Sequence, residues 1–223
     1  MSAYFVTGTD TDAGKTLITS GLLALARRQG LSTLGLKPVA SGCEMTSDGL
    51  RNRDALTLQA GSSPTTAYAQ VNPYAFAPAI APHLAAQREG VSLGLANLGE
   101  WLTTRLAEAR DLTLIEGAGG WRVPLNDHED LAGLAGLLRL PVIVVVGVRL
   151  GAINHARLTL EAIRRDGVEV AGWVANQIEP QMDEATANLN SLAQHLDAPC
   201  LGQVPYLERP CADAVAHFLR LPE

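Results

Sequence analysis

The stretch Gly8-Thr9-Asp10-Thr11-Asp12-Ala13-Gly14-Lys15-Thr16 decides how the chain folds. Ahead of it, Tyr4-Phe5-Val6-Thr7 is aromatic and β-branched and reads as a strand. Behind it, Thr16 to Gln29 reads as a helix, with Leu17, Ile18, Leu22 and Leu25 as apolar positions. Arg27-Arg28 followed by Gly30 ends that helix with cations in its last turn and a glycine beyond. A glycine-bearing loop between strand and helix lets backbone N–H groups converge on an anion, and the helix start adds partial positive charge. In that setting Lys15 reaches the β/γ-phosphates of a nucleotide and the Thr16 hydroxyl a magnesium ion. The strict spacing G-x-x-x-x-G-K-[ST] is missed, because Thr9 stands where a glycine is required and Gly8 comes one place early. Gly14-Lys15-Thr16 at the junction favours the phosphate reading over an ordinary strand–turn–helix.

The alternation continues outward. Thr33 to Val39, Leu112 to Glu116, Val142 to Gly147, Val170 to Ala175 and Leu201 to Val204 read as strands. Leu50 to Ala60, Leu93 to Ala109, Asn154 to Arg165, Glu184 to Leu196 and the tail Ala212 to Leu219 read as helices. Val142 to Gly147 is unbroken apolar sequence, as expected of a strand covered on both faces. Gly61 to Pro82 has no period and reads as a long ordered loop. Strands alternating with helices imply right-handed crossovers and an α/β fold of the P-loop NTPase type: a doubly wound, mostly parallel sheet with helices on both faces. No repeat or linker divides residues 1–223, which read as a single domain.

Composition narrows the function. A net charge of −6 without a basic run argues against nucleic acid as a partner. The longest apolar stretch, Leu140 to Val148, falls well short of the roughly 20 residues of a membrane helix, and no membrane partner is expected. Met1-Ser2-Ala3 carries no leader features, and Cys43, Cys200 and Cys211 form no CxxC pair, so a cytoplasmic protein with reduced thiols is expected. Of 17 basic side chains, only Lys15 and Lys37 are lysine. Either Lys37 is an accidental survivor of a bias toward arginine, or a compact three-donor ammonium is needed there.

Four acids stand where chemistry is expected. Glu116 ends an apolar strand ahead of Gly117-Ala118-Gly119-Gly120, at the edge where open α/β sheets bind ligands. It reads as a second-strand partner for Mg²⁺ or as an exposed strand-end acid. Asp54 taken alone reads as a helix-start acid. Asp10 and Asp12 are odd beside a polyphosphate unless a metal or an amine offsets them, which suggests a substrate bearing nitrogen. His83, His128, His155, His195 and His217 make no metal-spaced pair, and Asp127-His128-Glu129-Asp130 reads as a solvated turn and N-cap.

Together these stretches resemble the dethiobiotin synthetase family. The resemblance runs through Tyr4 to Thr16, Lys37-Pro38-Val39-Ala40-Ser41-Gly42 and Gly49 to Ala55. It continues in Val71-Asn72-Pro73-Tyr74, Glu116 to Trp121, Pro141 to Gly147, Leu150 to His155 and Gly172 to Asn176. It implies an ATP- and Mg²⁺-dependent cyclo-ligase of biotin biosynthesis. Such an enzyme takes CO₂ (from the CO₂/bicarbonate pool) onto 7,8-diaminononanoate and closes a ureido ring through a phosphorylated carbamate. The resemblance places Lys15, Lys37 and Thr11 in catalysis and Thr16, Asp54 and Glu116 around Mg²⁺. Asp12, Ala13, Gly14, Lys15, Thr16 and Leu17 would surround the phosphates, with Asp54, Glu116, Gly117, Ala118 and Gly119 beside ATP. Asn176, Gln177, Pro205, Tyr206 and Leu207 would meet adenine. Thr11, Lys37, Ser41 and Gly117 would meet the diamine or its carbamate. Leu150, Gly151, Ala152 and Asn154 would reach its carboxylate from a neighbouring subunit, which implies a homodimer. Asp12, Ala13, Arg149 and Gln177 depart from the family pattern, where Glu, Val, Lys and Asp are common.

Two other classes compete. Nucleotide-dependent dimer switches share such a loop but carry an extra lysine early in it, where this chain has Thr9, Asp10 and Thr11. Cobyrinate-type amidases need a glutaminase domain, for which 223 residues leave no room.

Overall fold

The computed structural model describes residues 2–222. Its centre is a six-stranded sheet built from β1 (Ser2–Gly8), β2 (Thr33–Leu36), β7 (Leu112–Glu116), β8 (Val142–Val148), β9 (Val170–Gln177) and β10 (Cys200–Val204). The spatial order is β10-β9-β8-β1-β7-β2, and every pairing is parallel. The helices are α1 (Lys15–Arg28), α2 (Arg53–Gly61), α3 (Pro82–Arg88), α4 (Leu95–Leu106), α5 (Gly133–Leu137), α6 (Ala152–Arg165), α7 (Ala185–His195) and α8 (Ala212–Ala216).

Side-chain alternation along β1 splits the core into two layers. Phe5 joins Leu98, Leu102, Leu134, Ala156, Leu160 and Leu192 on one face, whereas Tyr4 and Val6 join Ile18, Leu22, Leu58 and Val215 on the other. All seven residues of β8 are buried, as its continuous apolar run implies. No helix among the described residues is long and apolar enough to cross a membrane.

Several boundaries differ from the sequence-based expectation, each for a local reason. The strand expected over Thr33 to Val39 ends at Leu36. The Lys37 N–H turns to the Val71 carbonyl at 2.9 Å, and Pro38 has no N–H to continue the ladder. Val39–Ala40 (β3) then pairs with Tyr74–Ala75 (β6), inside the stretch expected to be loop. The helix expected from Leu50 begins at Arg53, because the Asn52 side chain caps it by accepting from Ala55 N at 3.1 Å. Gly49–Arg51 (β5) instead pairs antiparallel with Glu44–Thr46 (β4). The tail helix stops at Ala216 rather than Leu219. The turn at Asp127 to Asp130 caps a helix earlier in the chain: Glu129 Oε2 accepts from Leu95 N, the first residue of α4, at 3.1 Å. His83 is half-buried, and His128, His155, His195 and His217 are exposed.

Candidate functional site

The loop between β1 and α1 lies at the C-terminal edge of the sheet, beside the ends of β7 and β8. Its backbone alternates in hand: Asp12 has φ 61°, Ala13 a negative φ and Gly14 φ 88°. Alternation of this kind aims successive N–H groups into an anion-binding concavity. Gly14 is required by contact as well as by φ, since a Cβ there would lie 2.1 Å from Asn176 Nδ2. That amide donates to the Ala13 carbonyl at 3.0 Å, so β9 braces the loop from the side. Gly147 lets β8 approach equally closely, since a Cβ there would meet Ala13 Cα at 3.0 Å.

Across from the loop stands a charge cluster, a buried Lys37–Glu116 pair with the half-exposed Asp54 at its rim. Lys37 follows β2, Asp54 is the second residue of α2 and Glu116 ends β7. Lys37 Nζ lies 2.6 Å from Glu116 Oε1, 3.1 Å from the Gly117 carbonyl and 3.3 Å from Asp54 Oδ2. Three acceptors match the three donors of an ammonium, a fit that a planar guanidinium would not reproduce. Thr16 Oγ1 donates to the same Glu116 Oε1 at 2.8 Å and so joins the cluster to the loop. Lys15 Nζ donates to the Asp10 carbonyl at 3.0 Å.

The two lysines titrate in opposite directions. Burial lowers the Lys15 pKa, the Lys37 charge lowers it further, and Glu116, Asp54 and Asp12 only partly compensate. Burial also works against the Lys37 ammonium, but the Glu116 and Asp54 carboxylates outweigh it and hold the pKa above the ordinary lysine value.

Loop and cluster open on one cavity of about 400 Å³. It gathers Thr11, Asp12, Gly14, Lys15, Thr16, Leu17, Lys37, Ser41, Asp54, Ala118 and Gly119 from the residues expected at a site. Glu116 and Gly117 are buried in its floor. Asn52 and Ala40 line it too and were not singled out by sequence. Asn52 could have been, as a helix N-cap, and its Nδ2 also holds the Ser41 carbonyl at 3.3 Å. Trp121 anchors the far end of the glycine loop, with its ring edge-on to Phe5 and Nε1 on Asp166 Oδ2 at 2.8 Å.

Other expected residues lie apart from this cavity. Asn176 is buried behind the loop, with Gln177 next to it at the end of β9. Pro205, Tyr206 and Leu207 follow β10, whose Val204 pairs with Asn176. Leu150, Gly151 and Asn154 line a separate surface depression with Arg157 and Glu161, and Ala152 is buried beneath them. Leu150 is 92% exposed. Within one chain this segment does not reach the loop cavity. The nitrogen expected to offset Asp10 belongs to the protein itself: Arg149 pairs with the Asp10 carboxylate.

The residues present fit a divalent cation. Glu116 Oε2 is buried without a hydrogen-bond partner, directly beside the Thr16 hydroxyl and near Asp54. No group of three or more His, Cys, Asp or Glu suited to a metal occurs among the described residues. One hydroxyl and two carboxylates suit Mg²⁺, which keeps several waters and takes phosphate oxygens rather than a full protein cage.

A parallel sheet with this loop after its central strand, and a buried acid on the adjacent strand, defines a P-loop nucleoside-triphosphate-binding protein. Solved structures share the fold. The MinC:MinD cell division complex of Aquifex aeolicus matches with TM-score 0.59 at 14% identity, over 93% of this chain and 83% of that one. A ParA family ATPase of Chlorobium tepidum matches with TM-score 0.58 at 12% identity, over 93% and 85%. A family profile described as "AAA domain" matches residues 2–211. Among curated proteins, ATP-dependent dethiobiotin synthetase BioD of Chromohalobacter salexigens is 64% identical over 100% of this chain and 99% of its own length. That of Pseudomonas aeruginosa is 60% identical over 99% and 97%, and that of Xanthomonas campestris pv. campestris 48% over 99% and 98%. The chain belongs to the ATP-dependent dethiobiotin synthetase family, a family of ligases in biotin biosynthesis.

Proposed function

We propose that the chain, acting as one domain, closes the ureido ring of dethiobiotin from 7,8-diaminononanoate, CO₂ and ATP. The observation that carries this reading is the shared cavity, with a phosphate loop on one wall and Lys37, Ser41 and Asp54 on the other. In the proposed reaction one amine takes up CO₂ as a carbamate, whose oxygen attacks the γ-phosphorus of ATP and releases ADP. The second amine then attacks the carbamate carbon, and phosphate leaves as the ring closes.

The difficulty is electrostatic, because an anionic carbamate must approach an anionic phosphate. Lys15 on the loop and Lys37 on the opposite wall would screen that repulsion and stabilise charge on the transferring group. Thr11, Ser41 and Gly117 would orient the carbamylated amine, a contribution of position rather than chemistry. Thr16, Asp54 and Glu116 would hold Mg²⁺, which when bound supplies charge neutralisation at the phosphates. Asn176, Gln177 and Pro205 to Leu207 would border the adenine. Leu150 to Asn154 would serve the site of a second copy, which makes a homodimer the working unit; full activity in a solution that stays monomeric would refute that arrangement.

Mass spectrometry of a mixture of diamine, labelled bicarbonate, MgATP and protein tests the reading. The expected product is a cyclic urea carrying the label, formed with stoichiometric ADP. Absence of that urea, with ATP hydrolysis indifferent to the diamine, overturns it.

A further inference from the structure

We propose that Arg149 is a positioning residue for the phosphate loop, neutralising and anchoring an acid of the loop that borders the triphosphate cavity. Asp10 is the hub of the loop. Its Oδ1 accepts from Thr11 N at 2.8 Å, its carbonyl accepts from Lys15 Nζ at 3.0 Å, and its Oδ2 pairs with the Arg149 guanidinium. One residue therefore sets both Thr11 and Lys15, which line the cavity.

Arg149 is itself held in place. It follows directly on β8, and its carbonyl accepts from Ala152 N at 3.0 Å at the entry to α6. Two more bonds join the same strand to the loop, Thr9 N to the Val145 carbonyl at 2.9 Å and Gly147 N to Thr9 Oγ1 at 3.3 Å. Arg149, just past the end of β8, thus adds a charged tie to a short seam between that strand and the loop.

The charge balance explains the need for it. The loop sets Asp10 and Asp12 against the single cation Lys15, so alone it presents net negative charge to a polyanion. Arg149 returns that balance to neutral. The two side chains are 36% and 46% exposed, so the pair adds little to folding. Beside a triphosphate the same charge acts on a partner carrying several negative charges, where its removal is felt. Arg149 also precedes the exposed segment Leu150–Asn154, so the pair links that segment to Lys15 through Asp10.

Calorimetric binding of MgATP to the full-length protein tests the proposal, which rests on the nucleotide reading above. R149Q should weaken binding about tenfold with an unchanged melting temperature, since an unopposed and unanchored carboxylate then stands in the phosphate loop. R149K, which keeps the charge, should stay within about threefold of wild type. The deciding variant is D10N/R149Q, where the asparagine oxygen still accepts from Thr11 N but carries no charge; binding should return to within about twofold of wild type. A double variant as weak as R149Q would mean that Arg149 acts on the nucleotide itself, and overturns this proposal alone. R149Q binding as tightly as wild type overturns it as well. Wild-type protein that fails to bind MgATP overturns both this proposal and the nucleotide reading.

Discussion

The loop after β1 takes its shape largely from backbone, whereas the Lys37–Asp54–Glu116 cluster across the cavity is built on a buried ion pair. In the loop the decisive features are left-handed residues at Asp12 and Gly14 and the start of α1, all supplied within nine consecutive positions. In the cluster the Lys37 and Glu116 side chains are 5% and 0% exposed and come from positions 79 residues apart. A backbone site tolerates varied side chains as long as the chain can adopt the turn. That is why Thr9 can stand where the strict pattern asks for glycine. A buried ion pair has less slack, because removing either charge leaves the other uncompensated away from water.

The largest effect should follow from removing one member of the cluster. Lys37→Met leaves Glu116 as a buried carboxylate with only the Thr16 hydroxyl as donor, and should cost about 3–5 kcal/mol of stability by urea unfolding. Lys37→Arg keeps the charge but replaces a three-donor point by a planar fork, so turnover should fall far more than stability. Near-normal turnover in that variant would show that any cation serves at this position and would erase the contrast with the loop.

A smaller effect is expected from the loop's own backbone. Gly14→Ala forces an alanine into φ 88° and against Asn176 Nδ2, costing about 1–3 kcal/mol in strain and weakening MgATP binding. Asp12→Gly, which accepts φ 61° freely, should be neutral or slightly stabilising in the same unfolding assay. If Asp12→Gly were the more damaging of the two, the loop would depend on its side chains after all.

The smallest effect sharpens the comparison by pH. The lowered pKa of Lys15 means that its ammonium is lost below the ordinary lysine value of about 10.4. In that window the folded chain binds fewer protons than the unfolded chain at Lys15, so its deprotonation does not weaken the fold. Lys37 has a raised pKa; its contribution to stability is complete below the ordinary value and is lost as pH rises from there through the raised one. MgATP affinity should therefore decline on the alkaline side while the urea midpoint holds. Parallel loss of both would contradict the assignment of the two lysines to different roles.

Much of this arrangement could be read from local sequence. Tyr4 to Thr7, the Gly14-Lys15-Thr16 junction and the apolar run at Val142 announced a strand, an anion-binding helix start and a central parallel strand, because dihedral preference and periodicity act within a few residues. Element ends were read less well where a distant partner intervened. Pro38 and the Val71 carbonyl ended β2 early, and Glu129 capped a helix that begins 34 residues before it. Asp54, which alone looked like an ordinary helix-start acid, is drawn into the cluster by Lys37.

What the sequence determined by itself was the layered α/β architecture, the phosphate loop and the two retained lysines. Only the tertiary structure decided what surrounds them. It spent the three donors of Lys37 on Glu116, Asp54 and Gly117, and left Glu116 Oε2 without a partner. It answered the puzzle of Asp10 with Arg149, 139 residues away, where the sequence had suggested a substrate nitrogen. It also kept Leu150 to Asn154 out of their own chain's cavity. The physical reason is the range of the forces: backbone preference is local, whereas the partner of a charge is whichever group the packed sheet brings within a few ångströms of it.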